Sequence, residues 1–146
     1  MQLSRRADYA IRAVVDLASL PEGSIGITRE IAERQEIPPV FLAKIIGRLA
    51  KSGLIRAYRG ASGGVTLARP AEELTLLDVV EAIEGPMALN RCLARAGECP
   101  RDVFCPVKGI WAEAQERLVA QLKDANLATV ARRGKELQRL SASQTG

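Results

Sequence analysis

Histidine is absent from this sequence, and aromatic residues make up only 3% of its 146 positions. Without histidine, the chain lacks the commonest metal ligand and the side chain most often used as a general base. With few aromatic rings, the core must be built from leucine, isoleucine, valine and alanine, which suits helices. The sequence also contains no nucleophile motif and no phosphate-binding loop, so we predict that the protein is not an enzyme.

Long hydrophobic runs are missing as well. No apolar run approaches the roughly 18 residues that a membrane span needs. The first residues, MQLSRRAD, contain neither the apolar segment nor the cleavage site of a signal peptide. We therefore expect a cytoplasmic protein without a membrane partner. In that reducing compartment an odd number of cysteines, three in this chain, does not indicate a disulfide framework.

Acidic residues are missing from residues 41–71, although arginine and lysine recur there. The whole chain has a net charge of +4. A long segment with only positive charges is typical of a surface that faces phosphate groups. This distribution indicates a nucleic-acid partner more strongly than the net charge does.

Two helices in the first part of the chain predict a helix-turn-helix. Helical spacing of apolar residues predicts a first helix over residues 4–20, then helices over 29–35 and 39–52, with Ser4 and Thr28 as caps. The helices over 29–35 and 39–52 form the motif, and the second helix of a helix-turn-helix enters the major groove of DNA. Its basic residues recur at spacings of four and three, which predicts one exposed face. The alternative is the solvated face of an ordinary helix.

A glycine-rich turn follows, between two segments with the alternation of strands. Residues 54–58 and 65–67 are the predicted strands, and Arg59 lies at the start of the turn between them. A hairpin directly after a helix-turn-helix makes a winged helix, and Arg59 suits a narrow minor groove. An ordinary surface hairpin is the alternative. The predicted contacts with double-stranded DNA are Thr28, Pro39, Val40, Lys44, Arg48, Lys51, Arg59, Gly60, Ser62 and Gly63.

The second half of the chain reads as helices around a cysteine-rich loop. Thr75 begins a capping-box pattern. A long apolar stripe over residues 107–126 predicts a helix that pairs with its copy in a homodimer, or alternatively folds back on its own domain. A short helix and a frayed tail are expected after it. The predicted fold is mainly α: a winged helix-turn-helix with a two-stranded wing and a long C-terminal dimerisation helix. Its predicted parts are residues 1–72 (DNA-binding domain), 73–106 (linker helix and cysteine loop), 107–126 (dimerisation helix) and 127–146 (C-terminal helix and tail).

All three cysteines, Cys92, Cys99 and Cys105, lie in that loop. Structural zinc usually binds closely spaced cysteine pairs, whereas six and five intervening residues make a wide loop that can enclose a larger group. Four basic residues surround it: Arg91, Arg95, Arg101 and Lys108. The spacing favours an iron–sulfur cluster, with zinc and free redox thiols as alternatives. Because a cluster normally takes four protein ligands, a carboxylate, a small molecule or a residue of the partner subunit would complete the set.

The order of these motifs resembles a known family. The start MQLSxxxDYAIR is followed by the turn RGxxGG at residues 59–64, the segment LDVVxAIEG at 77–85, the three cysteines and the long helix. This combination resembles the Rrf-two family of bacterial winged-helix regulators over residues 1 to about 130. Within the family it is similar to the iron–sulfur members of the IscR, NsrR and RirA types. The resemblance implies a homodimeric transcription factor, usually a repressor of a palindromic operator, whose DNA affinity follows its cluster state.

The resemblance also implies which residues hold the cluster. Cys92, Cys99 and Cys105 match the cysteine ligands, whereas Lys108 stands where IscR-like members have a histidine ligand. Asp8 matches an aspartate that in some NsrR-like members is supplied by the other subunit, and Arg12 matches the arginine beside it. The resemblance therefore favours [4Fe–4S] over [2Fe–2S], with Asp8 of the partner subunit as the fourth ligand. A cluster-free regulator that senses redox state through its thiols, and an iron–sulfur electron carrier, are the competing interpretations.

Overall fold

A computed structural model describes residues 2–59 and 63–145 of the chain. The helices and strands of these residues are α1 (Arg5–Ala18), β1 (Gly26–Ile27), α2 (Thr28–Gln35), α3 (Pro39–Lys51), β2 (Ile55–Tyr58), β3 (Gly64–Leu67), a 3-10 turn (Ala71–Glu73), α4 (Leu76–Glu84), α5 (Arg91–Ala94), α6 (Lys108–Asp124) and α7 (Leu127–Gln144). The predicted mainly α architecture with a wing is confirmed. No helix within the described ranges is both long enough and apolar enough to span a bilayer.

The N-terminal cap of α1 is the predicted one, whereas the cap of α2 is not. Ser4 caps α1, because its hydroxyl accepts a hydrogen bond from the backbone N–H of Ala7 at 3.1 Å. The prediction that Thr28 caps α2 is wrong. Ile27 occupies the cap position, without a side-chain hydrogen bond, and Thr28 is already helical. β1 leads straight into α2, so Thr28 already has a helical conformation, and its backbone N–H donates to the carbonyl of Gly63 at 3.2 Å.

The wing is an antiparallel sheet in the strand order β1-β3-β2. β2 and β3 form the predicted hairpin, with Ile55 opposite Leu67 and Tyr58 opposite Gly64. β1 adds a third strand that pairs Gly26 with Val65. A strand of two residues is too short to show an alternating pattern, so the sequence did not indicate it. The predicted DNA contacts Gly60 and Ser62 lie outside the described residues.

The core surrounds α1, which packs against α2, α3, α4, α7 and the wing. It is aliphatic throughout, as the low aromatic content predicts. Its fully covered large side chains are Val14, Ile31, Leu42, Leu49, Leu74, Val79 and Leu127. The core therefore includes residues from both sides of the predicted boundary at residue 72, since α4 and the start of α7 contribute to it. The division of the chain into four parts stays a prediction.

The helices around the cysteine loop are stabilised by local caps. Thr75 and Asp78 form the predicted capping box of α4, with both reciprocal hydrogen bonds present. Gly85 ends α4 with a φ of 80°, where a side chain would be strained. Asn126 caps α7, which is longer than the expected short helix and includes most of the predicted tail. Good helix formers between residues 135 and 140 explain the extra turns.

α6 lies on the outside of the molecule. None of its side chains, all of which the structure describes, is buried. It contacts α4 and α5. Exposed apolar residues recur along it, and the most exposed is Ile110 at 61%. This arrangement does not favour the alternative in which the long helix folds back on its own domain.

Candidate nucleic-acid interface and cysteine loop

α3 contains half of the predicted DNA contacts. Pro39 and Val40 lie exposed in its first turn, and Lys44 and Lys51 are exposed further along. On the opposite side Leu42, Ile45 and Leu49 are buried in the core. The amphipathic pattern thus fixes which face the helix presents, as a recognition helix requires.

Arg48 lies on the same helix as Lys44 and Lys51, but its guanidinium also contacts α4. One guanidinium nitrogen of Arg48 donates to the backbone carbonyl of Ile83 at 2.8 Å. That carbonyl lies in the last turn of α4, where unpaired carbonyls and the helix dipole favour a cation. Arg48 therefore connects α3 to α4, and a DNA contact by this residue stays a prediction. The sequence gives no signal of the contact, because it joins residues that are far apart in the chain.

The wing and the start of α2 meet beside this helix. The carbonyl of Gly63 accepts the N–H of Thr28, and a Cβ placed on Gly63 would lie 3.4 Å from the Thr28 hydroxyl oxygen. Gly63 has a φ of 59°, which favours glycine. Two predicted contact residues are therefore adjacent. Arg59 is exposed at the end of β2, directly after Tyr58.

A buried carboxylate fastens α1 to α2, and sequence reasoning missed it. Asp16 is 7% exposed and accepts two hydrogen bonds from Arg34, at 2.7 and 3.0 Å, and one from Gln35 at 2.8 Å. The hydrogen bonds to Asp16 raise the pKa of the Arg34 guanidinium. Arg12 reinforces the contact by donating to the Gln35 carbonyl at 2.7 Å. The position of Asp16 among the apolar residues of α1 was the signal in the sequence that could have indicated this buried contact.

The three cysteines lie on a loop that packs against α6. Cys92 is in α5, Cys99 accepts a backbone hydrogen bond from Asp102 at 3.0 Å, and Cys105 precedes α6. All three are half-buried free thiols. The N–H of Leu89 donates to the Gln115 side chain at 2.8 Å and ties the start of this segment to α6. The loop is thus positioned at one end of the exposed helix.

An ion pair inside the loop is a second feature that the sequence did not reveal. Asp102, whose side chain is 14% exposed, pairs with the Lys108 ammonium and accepts the N–H of Gly97 at 3.0 Å. The Lys108 hydrogen bond, followed by that of Gly97, lowers the pKa of Asp102. The bond to Asp102 raises the pKa of Lys108, and the charges of Cys92 and Cys105 add to that rise. The pair therefore links residues 102 and 108, on either side of Cys105.

The residue types of the loop suit an iron–sulfur cluster, but in the described residues their side chains are too far apart to hold one. Within residues 2–59 and 63–145, no three His, Cys, Asp or Glu residues are close enough together to hold a metal ion. Asp8 is exposed on α1 and pairs with Arg12 at 3.2 Å. The structure contains a single chain, so ligation by Asp8 of the partner subunit stays a prediction.

Comparisons with known proteins agree with this architecture. Residues 3–133 match the family model of Rrf2, which is described as an iron-dependent transcriptional regulator. The proteins named HTH-type transcriptional regulator Rv1287 and MT1325, from two strains of Mycobacterium tuberculosis, are each 36% identical to this chain over 132 residues. Those residues cover 90% of this chain and 81% of each relative.

Solved structures give the same result. The T. potens IscR structure is 26% identical with a TM-score of 0.75, covering 94% of this chain and 91% of that one. The oxidized form of Staphylococcus aureus CymR is 26% identical with a TM-score of 0.71, covering 90% of this chain and 96% of that one. The family model covers well over half of the chain, and the resemblance noted from the motifs is confirmed. This chain belongs to the Rrf2 (Rrf-two) family of transcriptional regulators.

Proposed function

We propose that the protein is a homodimeric, DNA-binding repressor whose operator affinity is controlled by an iron–sulfur cluster on the cysteine loop. The observation that carries the proposal is the presence of three half-buried free cysteines on one short loop at the end of an exposed helix. In the same fold, α3 and the wing present an exposed basic surface. The proposal includes a cytoplasmic location, where a bacterial regulator meets its DNA.

DNA binding is assigned to α3 and the wing. α3 would enter the major groove, with Lys44 and Lys51 close to the phosphates of its edges. Arg59 would reach the adjacent minor groove, whose negative potential attracts arginine. The Thr28–Gly63 contact supports this arrangement because it fixes the wing relative to the helix-turn-helix.

Dimerisation is assigned to α6. Ile110, Trp111 and Leu118 are exposed on this helix and Val107 is exposed at its N-cap, and a contiguous exposed apolar patch marks an interaction site. The simplest partner is the same helix of a second copy. A two-fold dimer would present two recognition helices to the half-sites of a palindromic operator.

Cluster binding is assigned to Cys92, Cys99 and Cys105. Three thiolates fit iron–sulfur ligation, and Lys108, three residues after Cys105, would offset part of the negative charge of a cluster. Asp8 of the partner subunit is the proposed fourth ligand, which favours [4Fe–4S] over [2Fe–2S]. A bound cluster would supply an iron centre sensitive to iron supply, nitric oxide or redox state. The loop residues would have to close towards one another to hold it, since they do not converge in the described residues.

A second candidate is a regulator that senses redox state through these thiols without a metal. The three free cysteines and the similarity to a CymR structure in an oxidized form favour it. An electron carrier is disfavoured because an electron carrier needs no recognition helix and no wing.

Anaerobic purification tests the proposal. Iron and sulfide analysis, native mass spectrometry and gel shifts on the protein's own promoter region should show a cluster and specific DNA binding. Cys99→Ala should lose the cluster and remain folded, whereas Arg59→Ala should bind DNA several-fold more weakly with unchanged cluster absorption. Specific binding by protein that contains no iron or sulfide after anaerobic reconstitution would establish the thiol alternative. A cluster without any DNA binding would establish the electron carrier.

A further inference from the structure

The outer surface of α3 has an unusual composition for a helix that reads DNA. Val40, Ala43 and Gly47 follow one another at spacings of three and four, so they form a single line along the helix. All three are exposed, and the Val40 side chain is 71% exposed in the first turn. We call this line the α3 ridge. It contains no side chain that donates or accepts a hydrogen bond.

In the remainder of α3, only the basic side chains can form hydrogen bonds. The helix contains no Asn, Gln, Asp, Glu, Ser or Thr between residues 39 and 51. Arg48 is its one arginine, and the guanidinium is engaged with the Ile83 carbonyl. Lys44 and Lys51 flank the ridge as point charges suited to phosphates. Asn and Gln, the side chains that read adenine, are absent from α3, and the side chains that can read guanine, Lys44, Arg48 and Lys51, lie beside the ridge and not on it.

Gly47 indicates that the ridge is shaped for close approach. No described atom outside the helix's own turns lies within 4 Å of a Cβ placed on Gly47, and its φ is not in the left-handed region. Neither packing nor backbone conformation requires glycine here. Glycine inside a helix is nonetheless unfavourable relative to alanine. A small residue without a reason inside the fold is explained by a surface outside it that comes close.

We propose that the α3 ridge reads thymine, through contact of Val40 with the C5-methyl group, while Ala43 and Gly47 let the helix approach the base edges. This inference rests on the DNA-binding function proposed above and specifies what that site recognises. The thymine methyl is the one apolar group on the major-groove edges of the four bases, so it is the group that an apolar ridge can distinguish. The first turn of a recognition helix is also the part that lies closest to the bases.

The test begins with selection of duplexes from a random pool by the full-length protein. Thymines in the selected duplex are then replaced one at a time by deoxyuridine, which removes only the methyl group. Burial of one methyl corresponds to about a fourfold change in affinity. We expect one or two positions in each half-site to lose about fourfold on replacement, and Val40→Ala to abolish that difference.

Gly47→Ala provides a control that separates folding from recognition. Because alanine is the better helix former, this variant should melt about 2–4 °C higher and yet bind the selected duplex more weakly. Unchanged binding by Gly47→Ala, or a selected duplex that tolerates deoxyuridine at every position, would overturn the reading of thymine and leave the proposed regulator intact. Selection that enriches no sequence would overturn the proposed DNA-binding function itself.

Discussion

Removal of the Asp16 carboxylate should loosen the contact between α1 and α2 by a predictable amount. Asp16 accepts three hydrogen bonds, two of them from the Arg34 guanidinium. Hydrogen bonds to charged groups contribute about 1.5–3 kcal/mol each in general. Two effects reduce the sum: Asp16→Ala also removes the cost of burying the carboxylate, and the Arg34 side chain is 44% exposed, so solvent screens the pair. We expect Asp16→Ala to lower the free energy of unfolding by about 2 kcal/mol.

The reciprocal variant should be more harmful, which tests the physical reasoning. Arg34→Ala leaves the buried carboxylate with the Gln35 amide alone, so we expect a loss of about 3 kcal/mol. The double variant should lose about as much as Asp16→Ala, because both changes remove the same interaction. Glu113→Ala is the matched surface control. Its ion pair with Arg117 on α6 is exposed on both sides, and its loss should cost less than about 0.5 kcal/mol.

Urea unfolding followed by far-UV circular dichroism measures these differences. All variants must be compared at one protein concentration, since dimerisation would make stability concentration-dependent. The Asp16→Ala melting temperature should fall by roughly 4–8 °C. If Asp16→Ala unfolds at the same urea concentration as Glu113→Ala, the carboxylate does not fasten α1 to α2 and the reasoning is refuted.

Three further predictions concern other contacts. Thr75→Ala removes half of the α4 capping box and should destabilise the protein by about 1 kcal/mol in thermal unfolding; an unchanged melting temperature would contradict the cap's role. Ile110→Glu should convert the proposed dimer to monomer in light scattering, whereas dimers that persist would exclude this face of α6 as the dimer interface. Lys51→Ala should weaken DNA binding and reduce its salt dependence with little change in stability, while Arg48→Ala should cost about 1 kcal/mol of stability. The opposite ranking in stability would show that Arg48 does not connect α3 to α4.

The elements with strong local signals could be predicted from the sequence. The apolar period of α1 and α3, the Ser4 cap and the Thr75–Asp78 box depend on residues a few positions apart, so the pattern contains the information. The family could be recognised because several motifs occur in one order. The cysteine loop was identified as a candidate site because all three cysteines lie in one short segment.

The contacts between distant residues could not be predicted in this way. The Arg48–Ile83 hydrogen bond and the pairing of β1 with β3 depend on how helices and strands come together in space. The Lys108–Asp102 pair is closer in sequence, but it lies in an irregular loop where no period relates the residues. The sequence also suggested that Thr28 is a cap, because threonine is a favoured cap residue; in the structure α2 begins one residue earlier than expected, and Thr28 is its first helical residue.

The position of Leu127 has a consequence for how this protein can be made and divided. Leu127 is fully covered in the core, and its N–H donates to the Leu74 carbonyl at 2.8 Å. A fragment that stops at residue 72 would lack Leu74, Val79 and Leu127 and would expose the side of α1 that packs against α4 and α7. The DNA-reading half should therefore fail to fold when expressed alone, and on the ribosome its packing cannot be completed until the segment beyond α6 has emerged. A chimaera in which the cysteine loop is exchanged must therefore retain α4 and the first turns of α7 together with the helix-turn-helix.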